Sequence, residues 1–440
     1  MSYQDDEFYQ PQLEVDPEEY VVVDFDVYPN NPADKERLYR EVPAESSVGT
    51  WQRVAAMTDD ILKRLSAKTF DVEVVSDQHV KIKVAYPEEL FEPNNIPQML
   101  SLYAGNVYGM NTVKYLRVSD VAIPQDLIAS YPGPAFGPQG IYDILGIDQG
   151  PIMGTIVKPK LGSPPDIHAK TTYDAWYGVD GEGITWVKDD EPQTNQDFCP
   201  FEDRISRVLE YADQIKEQTG RQVIYAANIT GPVDTMLDRA QFVKDHGGKC
   251  LMIDVITTGF AAVQYIREQD FGMPIHAHRA MHGALTKHPQ HGIHMRVLAQ
   301  MYRLAGVDGI HSGTIYGKMG TGDLKEDREE TLTTNEALLR EPSRFGGLKQ
   351  VIPIASGGVG VNNVGKIIQA LAPHVVITAG GGIHGHPNGT KQGATSMMQA
   401  REAALKHDIV DPNELLRWAK DNDKTELQVA LEELGASYSR

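Results

Sequence analysis

The sequence predicts an α/β protein in which a (β/α)8 (TIM) barrel follows a smaller α+β domain. Three observations lead to this prediction. Eight short apolar runs recur between residues 152 and 380 with helical segments between them, which is typical of a parallel barrel. Alternating apolar and polar residues occupy parts of the first 124 residues, and a segment rich in proline and glycine separates the two regions. An open, doubly wound sheet is the alternative for the second region, but it usually has fewer strands.

The amino-terminal region has the pattern of half-buried antiparallel strands. Apolar and polar residues alternate in YVVVDFDVYP (20–29), FDVEVVS (70–76) and HVKIKVAYP (79–87). Between them, WQRVAAMTDDILKRLSA (51–67) has the apolar spacing of a helix. We therefore predict an α+β domain over residues 1–130, with YPGPAFGP (131–138) as the linker after it.

The barrel domain is predicted over residues 131–410, and a charged helical tail over 411–440. The helices include FEDRISRVLEYADQIKEQ (201–218) and GIHMRVLAQMYRLAG (292–306). The eight strands are IMGTIV (152–157), ITWV (184–187), QVIYAANI (222–229), LMIDVI (251–256), PIHAH (274–278), VDGIHS (307–312), VIPIAS (351–356) and VVITAG (375–380).

Composition narrows the class of partner. With 41 basic and 61 acidic residues the formal net charge is −20, which argues against nucleic acid or an anionic membrane. No apolar run approaches the roughly 18 residues of a membrane span, and the acidic start MSYQDDEFYQ lacks a secretory core. The only two cysteines, Cys199 and Cys250, are too few for a disulfide framework and are predicted to be inert. We expect a cytoplasmic protein.

Chemistry in such a barrel lies at the carboxyl ends of the strands, where this chain concentrates cations, carboxylates and glycines. Any one of these groups alone also fits an ordinary turn, and the charged run VKDDE (187–191) fits a solvated one. Collected at one face, they predict a small, strongly anionic ligand, because glycine turns that open helices and basic side chains both bind phosphate. The groups are Lys158 and Lys160 after the first strand, Lys188, Asp190 and Glu191 after the second, Asn228 at the third, His278 and Arg279 at the fifth, His311 at the sixth with Lys318 in the loop beyond, Ser356, Gly357 and Gly358 at the seventh, and Gly380 and Gly381 at the eighth.

Lys188, Asp190 and Glu191 have a spacing that suits metal chemistry. Carboxylates such as those of Asp190 and Glu191 are ligands for a hard cation such as Mg²⁺. Lys188 and Asp190 are two residues apart, so on an extended strand their side chains point to the same side. A lysine ammonium would repel that cation, whereas a desolvated lysine loses its proton. A neutral amine can add CO2 and become a carbamate, a third anionic ligand. The spacing is compatible with this chemistry but does not by itself establish it.

These motifs, in this order, resemble the large subunit of ribulose-bisphosphate carboxylase/oxygenase (Rubisco), over nearly the whole chain, and the archaeal branch in particular. The motifs are ESSVGTW (45–51), GNVYG (105–109), GPAFG (133–137), KPKLG (158–162), VKDDE (187–191), HRAMH (278–282), HSGTIYGK (311–318), SGG (356–358) and GGGIHGHP (380–387).

The resemblance implies a carboxylase that adds CO2, or O2 in a competing reaction, to ribulose 1,5-bisphosphate and gives two 3-phosphoglycerates. It implies Mg²⁺ as the cofactor and CO2 as the activator that carbamylates Lys188. It further implies a homodimer or an assembly of dimers without a small subunit, and a place in archaeal nucleotide (AMP) salvage. The implied roles are metal binding by Lys188, Asp190 and Glu191; proton transfer by Lys158 and His278; stabilisation of CO2 addition by Lys318; substrate contact by Lys160; substrate and phosphate binding by Arg279, His311, Ser356, Gly357, Gly358, Gly380 and Gly381; and completion of the site by Glu45, Thr50, Trp51 and Asn106 of a second subunit.

The chain departs from the family pattern at Ile156, where many members have threonine, and at Met319 and Gly320 after the loop lysine. These departures bear on rate and CO2/O2 selectivity. One rival is a Rubisco-like protein that only enolises or isomerises a sugar phosphate; another is a sugar-phosphate-binding regulator. Rubisco-like relatives commonly lose part of the catalytic set, including the loop lysine. The residues of that set that are all present here are Lys158, Lys188, His278 and Lys318. A regulator without turnover would have no use for a full set of proton-transfer residues. We therefore favour the carboxylase.

Overall fold

A computed structural model describes residues 7–49, 53–317 and 322–434, and the chain divides into two compact units. The first unit comprises Met1–Gly133, Met281–Ala305 and Arg340–Leu348. The second comprises Pro134–Ala280, Gly306–Leu339 and Lys349–Arg440. Two segments from the second half of the chain thus belong to the first unit. The domain boundaries near residues 130 and 410 stay predictions.

The regular elements are short and numerous. The strands are β1 (Tyr20–Pro29), β2 (Lys68–Ser76), β3 (His79–Pro87), β4 (Val113–Ala122), β5 (Ile152–Ile156), β6 (Trp186–Lys188), β7 (Ile224–Asn228), β8 (Leu251–Asp254), β9 (Ile275–His278), β10 (Gly292–Ile293), β11 (Gly309–His311), β12 (Ile352–Ser356) and β13 (Val376–Thr378). The α-helices are α1 (Lys35–Glu45), α2 (Asp59–Leu65), α3 (Ile96–Tyr103), α4 (Gln125–Ala129), α5 (Gly137–Leu145), α6 (Pro165–Tyr177), α7 (Phe201–Thr219), α8 (Val233–Asp245), α9 (Val255–Thr258), α10 (Phe260–Glu268), α11 (Gly283–Thr286), α12 (Met295–Leu304), α13 (Leu324–Leu339), α14 (Val364–Leu371), α15 (Gly381–His384), α16 (Thr390–His407), α17 (Pro412–Asp421) and α18 (Thr425–Leu434). Short 3-10 helices span Pro32–Asp34, Glu88–Leu90, Asn106–Gly109 and Pro342–Arg344.

The first unit is built on a five-stranded sheet in the order β10-β4-β1-β3-β2. β1 pairs antiparallel with β3 and β4, and every second residue of β1 is buried, which confirms the predicted alternation. The predicted helix over 51–67 is wrong at its start. Helix α2 begins only at Asp59, because the Thr58 side chain accepts a hydrogen bond from the Ile61 N–H and caps it there.

The second unit contains a closed barrel of parallel strands in the order β5-β6-β7-β8-β9-β11-β12-β13. Closure is made by β13, whose Val376 pairs with Ile152 of β5. All eight predicted barrel strands are therefore confirmed, and the open-sheet alternative is wrong. Trp186, Met252 and Ile354 belong to the buried apolar cluster, as apolar strand residues should.

The helix predictions of the barrel region hold with one exception. The predicted helix 201–218 is α7, and the predicted helical tail is α17 and α18. The segment 292–306 starts differently, because Gly292–Ile293 forms β10 and α12 starts at Met295 behind the N-cap His294. Within the ranges that the structure describes, no helix is both long enough and apolar enough to cross a membrane.

Candidate active site

The end of β6 is buried, although its sequence is highly charged. The exposed fractions of Lys188, Asp189 and Asp190 are 1%, 0% and 4%. The solvated-turn interpretation of VKDDE is therefore wrong. Lys188 ends β6, and the alternation of the strand turns Asp189 away from its two neighbours.

The amine of Lys188 contacts uncharged atoms, although carboxylates lie nearby. Its Nζ donates a hydrogen bond to the Asp189 carbonyl oxygen at 2.8 Å and lies 3.9 Å from the Met252 sulfur. Burial lowers the pKa of this amine, and the negative charges of Asp190 and Glu191 only partly oppose the shift. Burial therefore favours the neutral amine that carbamate formation requires.

Lysines that follow β5 pair with the carboxylates that follow β6. Lys158 Nζ forms an ion pair with Asp190 Oδ2, and Lys160 Nζ forms one with Glu191 Oε1. Burial and a hydrogen bond with Glu191 raise the pKa of Asp190. Burial also acts to raise the pKa of Glu191, but hydrogen bonds with Asp190 and Lys160 outweigh it and hold that pKa below its usual range. The two shifts run in opposite directions, so Asp190 binds a proton more readily than Glu191 does.

The donor set fits Mg²⁺ only with a further ligand. No group of three His, Cys, Asp or Glu side chains suited to a metal occurs in the described part of the chain. Asp190 and Glu191 supply two carboxylates next to the buried Lys188 amine. A carbamate on Lys188 would add the third anionic oxygen ligand, so the residues present fit a carbamate-assisted Mg²⁺ site.

His278 lies at the end of β9, close to two carboxylates. Its Nδ1 accepts a hydrogen bond from the Ala280 N–H at 3.1 Å and lies 3.4 Å from Asp254 Oδ1. Its Nε2 lies 3.9 Å from Glu191 Oε2. Burial lowers the pKa of this imidazole. Sequence reasoning missed Asp254, although an acidic residue at the end of the predicted strand LMIDVI was the available signal.

The remaining predicted barrel residues lie at the ends of four strands. His311 ends β11, and its ring meets that of His278 edge-on with centroids 4.6 Å apart. A Cβ at Gly380 would lie 3.1 Å from Lys158 Cε, so glycine allows the β13 turn to approach that lysine. Arg279 follows β9; Ser356 ends β12, and Gly357 and Gly358 continue from it with φ of +98° and +79°.

The two glycine turns lead into different structures. Gly381 begins α15 directly, as predicted. The turn at Gly357 and Gly358 does not open a helix, because α14 begins only at Val364. The prediction of a helix opened by a glycine turn is therefore confirmed at Gly380 and Gly381, and it is wrong at Gly357 and Gly358.

Other predicted residues lie elsewhere or are not described. Glu45 ends α1 and Asn106 begins a 3-10 helix, both within the first unit. Thr50, Trp51 and Lys318 lie outside the described residues, as do Met319 and Gly320. Asn228 ends β7 and donates to the backbone oxygens of Asp190 and Glu191, so it supports the backbone of the site.

A buried network on the other side of β6 was also missed. Asp189 accepts hydrogen bonds from the Tyr225 hydroxyl and from the Asn228 N–H, and Arg204 Nε lies 3.0 Å from its Oδ1. His168 Nε2 lies 2.7 Å from the Tyr225 hydroxyl oxygen, and burial lowers the pKa of His168 to about 4. The network joins β6 to α6, α7 and β7, and fixes the backbone that carries Lys188 and Asp190.

Comparison with known proteins agrees with this geometry. The family model "Ribulose bisphosphate carboxylase large chain, N-terminal domain" matches residues 6–127, and the catalytic-domain model of the same family matches 138–434. The ribulose bisphosphate carboxylase of Methanocaldococcus jannaschii is 42% identical over 407 residues, which cover 90% of this chain and 93% of that protein. The Pyrococcus furiosus protein of the same name is 39% identical over 417 residues, 94% of each chain.

Solved structures give the same answer. An octameric Rubisco from Pyrococcus horikoshii superposes with a TM-score of 0.87 at 37% identity, over 98% of this chain and 96% of that one. A dimeric archaeal Rubisco from Hyperthermus butylicus superposes with a TM-score of 0.87 at 34% identity, over 98% of this chain and 99% of that one. Both domain models of the family match this chain, and relatives of 42% and 39% identity cover most of its length. The chain therefore belongs to the ribulose bisphosphate carboxylase large-chain family.

Proposed function

We propose that this carboxylase converts D-ribulose 1,5-bisphosphate, CO2 and water into two molecules of 3-phosphoglycerate, and that O2 competes with CO2. The observation that carries the proposal is the buried Lys188 amine beside Asp190 and Glu191, with Lys158 and His278 within the same strand-end face. A binding protein or a simple isomerase has no evident use for a lysine desolvated among carboxylates.

The chemistry begins with loss of the C3 proton from the substrate. Lys158 would take part in this proton transfer, and His278, which burial keeps neutral, would accept a further proton. C2 of the resulting enediolate attacks CO2, water adds at C3, and the C2–C3 bond breaks. Mg²⁺ held by carbamylated Lys188, Asp190 and Glu191 would supply Lewis-acid polarisation of the substrate carbonyl.

The phosphate groups would bind at opposite sides of the barrel mouth. Arg279, His311 and the turn at Ser356 would take one phosphate, and the turn at Gly380 and Gly381 the other. Lys160 would contact the substrate between them. Lys318, outside the described residues, would stabilise the carboxylate that forms as CO2 adds. The similarity to archaeal enzymes supports a place in nucleotide (AMP) salvage.

A product assay tests the proposal. The purified chain is preincubated with Mg²⁺ and labelled bicarbonate, and ribulose 1,5-bisphosphate is then added. We expect one labelled and one unlabelled 3-phosphoglycerate per turnover, and none after chelation of the metal. An isomerised sugar phosphate without fixed label would favour the enolase-type rival, and substrate binding without turnover would favour the regulator.

We also propose that the active unit is at least a dimer, as in the dimeric and octameric relatives. Glu45, Thr50, Trp51 and Asn106 of one copy would complete the barrel site of another. An inactive Asn106→Ala protein and an inactive Lys158→Ala protein, mixed under conditions of subunit exchange, should regain activity. At random pairing, half of the dimers are hybrids with one intact site, so about a quarter of the sites should be active. Each variant mixed with itself is the control, and a fully active monomer by light scattering would contradict the proposal.

A further inference from the structure

Two buried histidines on neighbouring strands face each other through the same ring nitrogen. His276 of β9 and His311 of β11 have their Nε2 atoms 2.9 Å apart, and their rings meet edge-on with centroids 5.0 Å apart. Both side chains are almost fully buried. His276 lies deeper in the barrel, with its ring 5.8 Å from that of Trp186.

The contact fixes where the hydrogens are. Two nitrogens at 2.9 Å need one hydrogen between them, so one ring donates and the other accepts. Burial lowers the pKa of both imidazoles well below the usual value, so each ring is neutral and has a single N–H.

The surroundings of His276 decide which ring is the donor. Its Nδ1 is buried and has no hydrogen-bond partner among the described residues. If Nδ1 carried the hydrogen, an N–H donor would be buried without an acceptor, a situation that is rarer in proteins than an unsatisfied lone pair. The hydrogen of His276 is therefore on Nε2. His311 must accept through its own Nε2, and its single hydrogen must be on Nδ1.

We propose that His276 is a positioning residue that holds His311 in the Nδ1–H tautomer, so that His311 presents a donor to an anionic oxygen of the substrate. The inference rests on the proposed function, in which His311 binds a phosphate. Phosphate oxygens accept hydrogen bonds, so a bare Nδ1 lone pair at this position would repel the ligand. His276 thus acts on the substrate through His311 without touching it.

The tautomer is measured in the ligand-free protein. Magic-angle-spinning ¹⁵N spectra of histidine-labelled protein distinguish protonated from bare ring nitrogens, and the difference from His311→Gln identifies the His311 signals. We expect His311 to be protonated at Nδ1 in the wild type and in His276→Gln, whose amide can still donate. In His276→Leu we expect a loss of that tautomer. Protonation of His311 at Nε2 in the wild type would overturn the proposal.

Ligand affinity provides the second measurement. His276→Leu should weaken the binding of inorganic phosphate by about ten-fold and raise the KM for ribulose 1,5-bisphosphate by a similar factor. The change in kcat should be smaller. His276→Gln should stay within about two-fold of the wild type. Equal losses in the two variants, or no loss in either, would overturn the positioning role. If the protein fixed no CO2 at all, the proposed function would fail, while the spectra and the phosphate titration would still decide the role of His276.

Discussion

Replacing Lys188 with methionine is expected to abolish CO2- and Mg²⁺-dependent turnover, by about 10³-fold or more, while the barrel stays folded. Methionine is apolar, unbranched and only one atom shorter than lysine, and the Lys188 side chain lies fully buried close to the Met252 sulfur. The substitution removes the amine that would carry the carbamate. The new side chain adds no polar group of its own, although the Asp189 carbonyl oxygen loses the hydrogen bond from Lys188.

The measurement is the rate of labelled CO2 fixation before and after preincubation with bicarbonate and Mg²⁺. The wild type should be activated by preincubation, and Lys188→Met should not respond. Lys170→Met is the matched control, because Lys170 is a half-exposed lysine that pairs with Asp174 on the surface of α6. The control should behave as the wild type. Near-normal turnover of Lys188→Met would contradict the proposed role of this residue.

Arg204→Met is expected to lower the free energy of unfolding by about 3–5 kcal/mol. Arg204 and Asp189 are both fully buried. Among the described residues, Arg204 is the only arginine that contacts the Asp189 carboxylate. Its removal leaves a carboxylate in the protein interior with neutral partners, which is far more costly than losing an exposed pair.

Urea denaturation followed by circular dichroism measures this change. Arg207→Met is the control on the same helix, because Arg207 pairs with Asp166 at 2.7 Å while both side chains are about half exposed or more. The control should lose less than about 1 kcal/mol. Similar losses for both variants would mean that the buried pair adds nothing beyond a surface pair. Adding Asp189→Asn to Arg204→Met should recover part of the loss, because the unpaired charge is then removed.

The barrel could be predicted because eight short apolar runs recur with helical segments between them, and because parallel strands bring their carboxyl ends to one face. Lys158, Lys188 and His278 were therefore expected at that face before any contact was known. The strand β10 could not be predicted in this way. Two residues, Gly292 and Ile293, are too few to show a period, and their partner β4 lies far away in the sequence.

The errors within the site have the same origin. Read alone, VKDDE is a polar turn, because local sequence gives no information about burial. Asp189 is buried by Arg204, fifteen residues further on, and by Tyr225 on the next strand. His276 was likewise read as part of an ordinary strand, since its contact with His311 spans 35 residues. Partners of buried polar groups are set by tertiary structure, which single-sequence patterns do not contain.

The opposite orientations of Lys188 and Asp189 have a consequence for mutational scanning and engineering. The peptide unit between Lys188 and Asp189 connects the interior of the barrel mouth to the layer of helices around the barrel. A substitution in an outer helix that contacts Asp189 can therefore move the Lys188 amine and the following carboxylates together, without touching either. Variants of Arg204 or His168 that lose activity should therefore be checked for a displaced β6 before they are interpreted as losing a contact with substrate. Thermostability libraries directed at the outer helices should keep these two positions unchanged.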